Sequence, residues 1–217
     1  YSVTVLEAFK ALLPDADIIY SDCRDIIAVK SLATGKYLRV NEDEKVTADG
    51  EQGDESCHFI KEDWGGEIVL KSVINGRYVT LDGVYKASCD SLFSWYVMPI
   101  LKPYVTSGGV AYKSWNDKSV TVDENGYLTA SVTSRTDSAQ LFSEEIISDG
   151  IMKAADIAGS CDYAVACVGN NPMIVARECY DRDGIELPYF QNELVKSIYK
   201  ANNNTVLCII SSYPYAI

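Results

Sequence analysis

A repeat of 41 to 42 residues through the middle of the chain constrains the fold more than any other feature. The dipeptide Lys-Ser begins at residues 30, 71 and 113, and each copy leads into a turn and a short apolar segment. The first two copies continue alike, as Gly35-Lys36-Tyr37-Leu38 and Gly76-Arg77-Tyr78-Val79. Units of this length are too small to bury a core alone, so the repeat predicts an architecture in which they share one core.

Apolar and polar residues alternate within each unit, which is the pattern of half-buried strands. Asn75-Gly76 and Asn125-Gly126 supply tight turns between them. Three copies of about four short strands predict a threefold closed β structure, the β-trefoil, over residues 27–146. The units resemble those of the fascin-like trefoil. The third unit departs from that pattern, because Asn116-Asp117-Lys118-Ser119 replaces its glycine turn.

Residues 1–26 and 147–217 change to the periods of helices and buried strands. Thr4 and Glu7 form a capping-box pair before an apolar helical face that ends at Pro14. Ser148-Asp149 can cap a second helix, and Pro188 lies in the first turn of a third. Short apolar runs predict strands at residues 17–20, 163–168 and 205–210.

These elements follow the order helix, strand, insert, helix, strand, helix, strand. That order is typical of a parallel sheet with helical crossovers. We therefore predict an α+β two-domain protein, with the β-trefoil inserted into a parallel α/β sandwich fragment. Because the insert leaves from the carboxyl end of one parallel strand, it should lie beside the loop at the carboxyl end of the next. Its two ends, near residues 26 and 147, should be close together.

Charge and composition limit the partners. The 217 residues include 19 Lys and Arg against 31 Asp and Glu, a net charge of −12. This excess of acid disfavours nucleic acid and anionic membranes as partners. No apolar run approaches the roughly 20 residues that a membrane-spanning helix needs. The single histidine, His58, lies in an apolar strand beside Phe59, so the sequence predicts neither a metal site nor a cofactor.

The seven cysteines are irregularly spaced and form no C-x-x-C pair. Several lie in or beside apolar runs, where a free cysteine behaves as a small hydrophobic residue. An odd count with this spacing favours a reducing compartment over a disulfide framework, and we expect a cytoplasmic protein. The chain begins at Tyr1 and has the character of an excised piece of a longer protein.

The loop after the run at 163–168 carries the one charge cluster that is typical of catalysis. It reads Arg177-Glu178-Cys179-Tyr180-Asp181-Arg182 and is followed by Glu186-Leu187-Pro188. Together with Thr4-Val5-Leu6-Glu7 and Asp162-Tyr163-Ala164-Val165, these residues resemble the second, α/β domain of glycoside hydrolase family 3, the β-glucosidase and β-xylosidase type. The resemblance covers about residues 1–26 and 147–217.

The resemblance implies a retaining β-glycosidase, in which Glu178 is the catalytic acid/base. Family members often read G-E-G-x-D-R at this loop, and here both glycines are replaced. The nucleophile would be an aspartate on a preceding (β/α)₈ barrel, which this chain lacks, so we expect the chain alone to be inactive. Asp181 and Arg182 would orient the sugar. Spacing alone favours a surface carboxylate paired with Arg177 or Arg182, and the resemblance is what favours the acid/base role.

Three functions remain open. In the first, the chain is part of a glycosidase that acts on a β-linked oligosaccharide or glycoside and joins the missing barrel domain. In the second, it is a carbohydrate-binding module without turnover, with Trp115 as the candidate for stacking on sugar, although packing is the usual role of such a tryptophan. In the third, it is a fascin-like interaction module, which the 12 Lys and Arg against 18 Asp and Glu of residues 27–146 disfavour for an acidic partner.

Overall fold

A computed structural model describes residues 3–92, 97–131, 138–176, 181–182 and 184–216. Most elements are strands, and they are numbered here in chain order. The strands are β1 Asp25–Ser31, β2 Tyr37–Val40, β3 Val46–Gly50, β4 His58–Asp63, β5 Ile68–Ser72, β6 Tyr78–Asp82, β7 Val84–Cys89, β8 Leu101–Thr106, β9 Gly109–Ser114, β10 Ser119–Val122, β11 Leu128–Ser131, β12 Phe142–Ser148, β13 Ala164–Gly169 and β14 Thr205–Ile210. The helices are α1 Val5–Leu12, α2 Gly150–Gly159 and α3 Tyr189–Ala201.

Six antiparallel strands close into a barrel, in the cyclic order β1, β4, β5, β8, β9 and β12. Three hairpins, β2–β3, β6–β7 and β10–β11, are attached to β1, β5 and β9. Each sequence repeat thus provides two barrel strands and one hairpin. The twelve strands are called the barrel below.

The repeats share one core, because inward-facing residues of all three meet inside the barrel. The largest fully buried side chains there include Tyr85, Phe59 and Phe142. The rings of Tyr112 and Phe142 lie 5.5 Å apart between centroids. Burial of this apolar surface is the main stabilising contribution to the barrel.

The glycine turns of the repeats have equivalent backbone conformations. Gly35 and Gly76 have φ angles of +69° and +68°, and Asp117 takes the same left-handed conformation at +62° in the third unit. Aspartate tolerates this region better than most residues because its short polar side chain can bond locally. The departure of the third unit therefore changes the residue and keeps the turn.

Helices and parallel strands form a much smaller part of the structure, which is called the α/β unit below. It comprises α1, α2, α3 and the two parallel strands β13 and β14. Thr4 and Glu7 form the predicted capping box of α1, and Asp149 caps α2 by accepting from the Met152 N–H at 2.8 Å. None of the described helices is long and apolar enough to cross a membrane.

The predicted fold class, an α+β two-domain protein with a β-trefoil inserted into a parallel α/β sandwich, is wrong. The described chain is mostly antiparallel strands that form a six-stranded barrel with additional strands, and β13 and β14 are the only two named strands that pair in parallel among the described residues. The physical reason lies at residues 17–20, which form no strand and pair with none in the described structure. Ile19 and Tyr20 remain 53% and 65% exposed, so two strands are too few to make a sandwich.

The barrel begins and ends beside the α/β unit, as the repeat analysis predicts. Ile26 pairs with Ser148 across β1 and β12. The Asp25 carboxylate accepts a 2.8 Å hydrogen bond from the Gly150 N–H at the start of α2. Gly150 has no room for a side chain, because a Cβ there would overlap the backbone of Cys23 and Arg24. This close packing joins the two parts of the molecule.

Candidate functional site

The carboxyl ends of β13 and β14 meet at one edge of the parallel pair, where ligands usually bind in α/β structures. Gly169 ends β13 with a φ of +154°, and a Cβ there would overlap the carbonyl oxygen of Ile210. Its N–H and C=O both bond to the side-chain amide of Gln191 on α3, at 2.9 and 2.8 Å. Glycine therefore lets the two strand ends approach closely, and α3 locks them in place.

The turn after β13 is held by asparagine side chains. The Ser211 hydroxyl donates to Oδ1 of Asn170 at 2.6 Å, which ties this turn to the residue after β14. Asn171 caps the next turn by accepting from the Met173 N–H at 3.0 Å. The chain therefore turns directly after β13, and side-chain hydrogen bonds fix the turn.

Ile174 follows this turn and anchors it against the barrel. It is 2% exposed and packs in an apolar cluster with buried Val69 of β5 and with buried Val97 and Ile100, which precede β8. Trp64 and Trp115 are partly buried in the same cluster. The predicted sugar-stacking residue Trp115 thus lies where the barrel contacts the α/β unit, and its role in substrate binding stays a prediction.

The predicted catalytic residue, Glu178, lies outside the described residues, as do Arg177, Cys179 and Tyr180. The residues on either side are described. Ala176 precedes the segment with a left-handed φ of +55°. Asp181 and Arg182 follow it, and Oδ1 of Asp181 accepts from the Arg182 N–H at 2.8 Å. The two predicted sugar-orienting residues are therefore neighbours at this strand edge, and their roles stay predictions.

Two tyrosines hold Arg182, and sequence reasoning assigned them no role. The guanidinium carbon lies 5.5 Å from the ring centroid of Tyr213 and 5.0 Å from that of Tyr215, within the range of cation–π attraction. The hydroxyl of Tyr213 donates to the Ala176 carbonyl at 3.0 Å. The sequence signal for these residues is their place just after the predicted strand at 205–210.

A cavity of about 280 Å³ opens between the barrel and this strand edge. Its wall includes Arg24, Glu62, Trp64, Asn170, Phe190 and Gln191. Glu62, 4% exposed, is held by Nη1 of Arg24 at 3.0 Å and by the Tyr78 hydroxyl at 2.8 Å. Burial, followed by this bond to a carboxylate, raises the pKa of Tyr78 well above its usual value. The phenol therefore stays protonated and acts as a donor.

A larger cavity, of about 530 Å³, lies at the opposite, amino ends of β13 and β14. Asp162, Tyr163 and Asn204 are among its lining residues. It contains none of the predicted site residues. Cavity size alone would select the amino ends of the strands. Ligands in α/β units usually bind at the carboxyl ends, so the smaller cavity is the better candidate.

Comparison with known proteins identifies the family and a relative of known activity. The sequence profile of a family described as Glycosyl hydrolase family 3 C-terminal domain matches residues 1–217. A β-glucosidase from Kluyveromyces marxianus is 42% identical over 64 residues, which is 30% of this chain and 8% of that enzyme. The chain therefore spans a small part of that relative's length.

Two solved structures resemble the chain over slightly more than half its length. One is a GlcNAcα1-4Gal-releasing endo-β-galactosidase from Clostridium perfringens, with 16% identity, 57% of this chain and 33% of that one covered, and a TM-score of 0.50. The other is Cry35Ab1, with 13% identity, coverage of 59% and 37%, and a TM-score of 0.50. At such identities the likeness shows the fold alone.

Proposed function

The chain belongs to the glycosyl hydrolase family 3 C-terminal domain family, and from that premise we propose that it is the part of a retaining β-glycosidase that supplies the acid/base, Glu178. The substrate is a β-linked glycoside, and the nucleophile comes from a (β/α)₈ domain elsewhere in the longer protein. The observation that carries this proposal is the family match over the whole chain. The partial identity to a β-glucosidase supports it.

The position of Glu178 in the chain agrees with this role. It follows β13 and the anchored turn at 170–176, and it precedes Asp181 and Arg182. A retaining mechanism needs two carboxyl groups about 5–5.5 Å apart, one as nucleophile and one as acid/base. The loop at a strand end can present one of them to a second domain, which supplies the other.

The acid/base must be protonated when the leaving group departs and ionised when water attacks. Cationic groups nearby favour the ionised form and lower a carboxyl pKa, whereas burial or a neighbouring carboxylate raises it. Docking of the missing (β/α)₈ domain would place a second carboxylate in the site and exclude water, which are the conditions that an acid/base carboxyl needs. The chain alone should hydrolyse no aryl β-glycoside, because the nucleophile is missing and Glu178 by itself cannot carry out a double displacement.

The experiment is Glu178→Gln in the longer β-glycosidase, which keeps the side-chain shape and removes the titrating proton. Turnover of glycosides with poor leaving groups should fall by about 10²–10⁴-fold, because these need protonation. Substrates with activated aryl leaving groups should lose far less in their first step. Azide should then restore turnover by replacing base-activated water in the second step.

Glu186→Gln is the matched control, since Glu186 is an exposed carboxylate a few residues away. It should retain nearly wild-type turnover of both substrate types. If Glu186→Gln shows the leaving-group dependence and azide rescue while Glu178→Gln does not, Glu186 is the acid/base and our assignment is wrong.

A further inference from the structure

Arg182 is held by aromatic faces, and this way of holding a cation uses none of its N–H groups. A carboxylate partner would use one or two of the five guanidinium donors. A ring face attracts the charge without accepting a hydrogen bond in the guanidinium plane. Nη1 of Arg182 is buried and has no hydrogen-bond partner among the described residues. A buried donor of this kind is stabilised when a ligand oxygen accepts from it.

The two rings are themselves fixed to the ends of the parallel strands. Tyr213 donates its N–H to the Ser211 hydroxyl at 3.0 Å, and that hydroxyl bonds to Asn170 after β13. The Tyr213 hydroxyl donates a hydrogen bond to the Ala176 carbonyl. Beyond Tyr215, the Ala216 N–H donates to the Ile185 carbonyl at 2.7 Å. The segment that carries both rings is thus connected to β13 and to the residues around Arg182.

We propose that Tyr213 and Tyr215 are positioning residues, which hold the Arg182 guanidinium so that Nη1 donates to a hydroxyl oxygen of the bound sugar. This inference rests on the proposed function, because it names the substrate group that Arg182 contacts. The hydroxyl of Tyr215, also buried and without a hydrogen-bond partner in the described part of the chain, is a second donor or acceptor at the same place. The tyrosines act through Arg182 and need not touch the reacting atoms.

A structural role alone would be different. The tyrosines could serve only to pack the segment after β14 against the chain, in which case Arg182 would be incidental. Phe in place of Tyr keeps the ring face and removes the hydroxyl, whereas Leu keeps apolar bulk and removes the ring face. The two substitutions therefore separate the cation–π contact from packing.

The first test uses NMR on this chain and needs no catalysis. Two nearby rings should displace the Arg182 δ-proton resonances from their ordinary positions by ring currents. Tyr213→Leu and Tyr215→Leu should each remove part of that displacement, and Tyr→Phe at either position should keep it. Tyr163→Leu, at a tyrosine that is 76% exposed and remote from Arg182, is the control. Unchanged Arg182 resonances in both Leu variants would show that the two rings do not hold the guanidinium.

The second test uses kinetics of the longer β-glycosidase. A contact to a sugar hydroxyl that exists both before and in the transition state affects KM rather than kcat. The double variant with Tyr213→Leu and Tyr215→Leu should raise KM about ten-fold and leave kcat within about two-fold of the wild-type value. Phe at both positions should restore most of the wild-type KM.

The decisive arm is a double-mutant cycle with Arg182→Ala. If the tyrosines act through Arg182, replacing them by Leu should change KM little once the guanidinium is absent. Additive effects on KM would overturn the positioning role, even if the enzyme is a β-glycosidase. An inactive wild-type enzyme would refute the proposed function. The NMR test would still decide whether Tyr213 and Tyr215 hold the Arg182 guanidinium.

Discussion

The barrel and the α/β unit differ in how many of their apolar side chains are buried. Among the described residues, the barrel core is a cluster of eighteen buried side chains, including aromatic and branched aliphatic ones, and every repeat contributes to it, as Phe59, Val79 and Leu128 illustrate. The α/β unit has a cluster of five, three of which are alanines. Since stabilisation follows the apolar area that is buried, the barrel should be far the more stable part.

Exposed apolar side chains make the same contrast. No residue of α1 is buried, and Leu12 is 78% exposed although the helix is amphipathic and well capped. On the parallel strands, Val165 and Val206 are 41% and 59% exposed on the face away from α2 and α3. Correct local signals therefore produce the elements, while stability depends on whether another layer covers them.

The largest effect should come from the barrel core. Phe142→Ala removes a ring that is fully buried and lies against the Tyr112 ring at a tilt of 53°. We expect it to lower the free energy of unfolding by about 3–5 kcal/mol. Urea unfolding followed by circular dichroism measures this, and Phe142→Leu should cost less because it leaves a smaller cavity. If Phe142→Ala lowered the free energy of unfolding by less than an ordinary surface substitution does, the barrel core would not be the main source of stability.

An intermediate effect should appear in the α/β unit with Gly169→Ala. The added Cβ overlaps the Ile210 carbonyl, so the ends of β13 and β14 must separate, at a cost of about 2 kcal/mol. Hydrogen exchange should then quicken at the amides of β13, β14 and Gln191, while barrel amides keep their protection.

Gly53→Ala is the matched control, because Gly53 also has a positive φ, +84°, but no atom within 4 Å of a Cβ at that position. It should show the backbone strain without the clash. If Gly169→Ala speeds exchange equally in β13 and in the barrel core, the two regions unfold as one unit and the contrast drawn above is wrong.

The smallest effect concerns the junction between the two regions. Partial burial raises the pKa of Asp25, and the Gly150 N–H that bonds to it opposes this increase. Because the folded chain then holds the Asp25 proton more tightly than the unfolded chain, the contribution of Asp25 to the free energy of unfolding is largest at low pH. It is lost as pH rises from the ordinary aspartate pKa through the raised folded one.

Asp25→Asn keeps an oxygen acceptor for Gly150 and cannot titrate. Relative to wild type, the variant should therefore gain stability as the pH rises through that acidic window, by less than about 1 kcal/mol because the group is half exposed. Urea midpoints of both proteins across this range measure the difference. A difference that stays flat with pH would mean that Asp25 is not the titrating group at the junction.

Much of the local structure could be read from the sequence. The capping box at Thr4 and Glu7, the cap at Asp149 and the strand at 205–210 were predicted and are confirmed. These signals depend on neighbours within a few residues, which the sequence shows directly. The predicted strand at 17–20 failed because a strand needs a partner, and an apolar run does not say whether one is present.

The candidate site divides in the same way. Asp181 and Arg182 were selected from the loop motif, and their roles stay predictions. Tyr213 and Tyr215 were not selected, although they are the residues that hold Arg182. About thirty positions separate them from it along the chain, and no local pattern connects residues so far apart.

By itself the sequence determined the repeat, the alternation of strands, the caps and the family, because these depend on residue types at fixed spacings. Only the tertiary structure decided that six strands close into a barrel and that the parallel part stops at two. It also decided that the Tyr213 and Tyr215 rings lie against the Arg182 guanidinium. The physical reason is that closure, pairing and cation–π contact depend on which distant surfaces meet, and burial energy selects those surfaces after the local elements have formed.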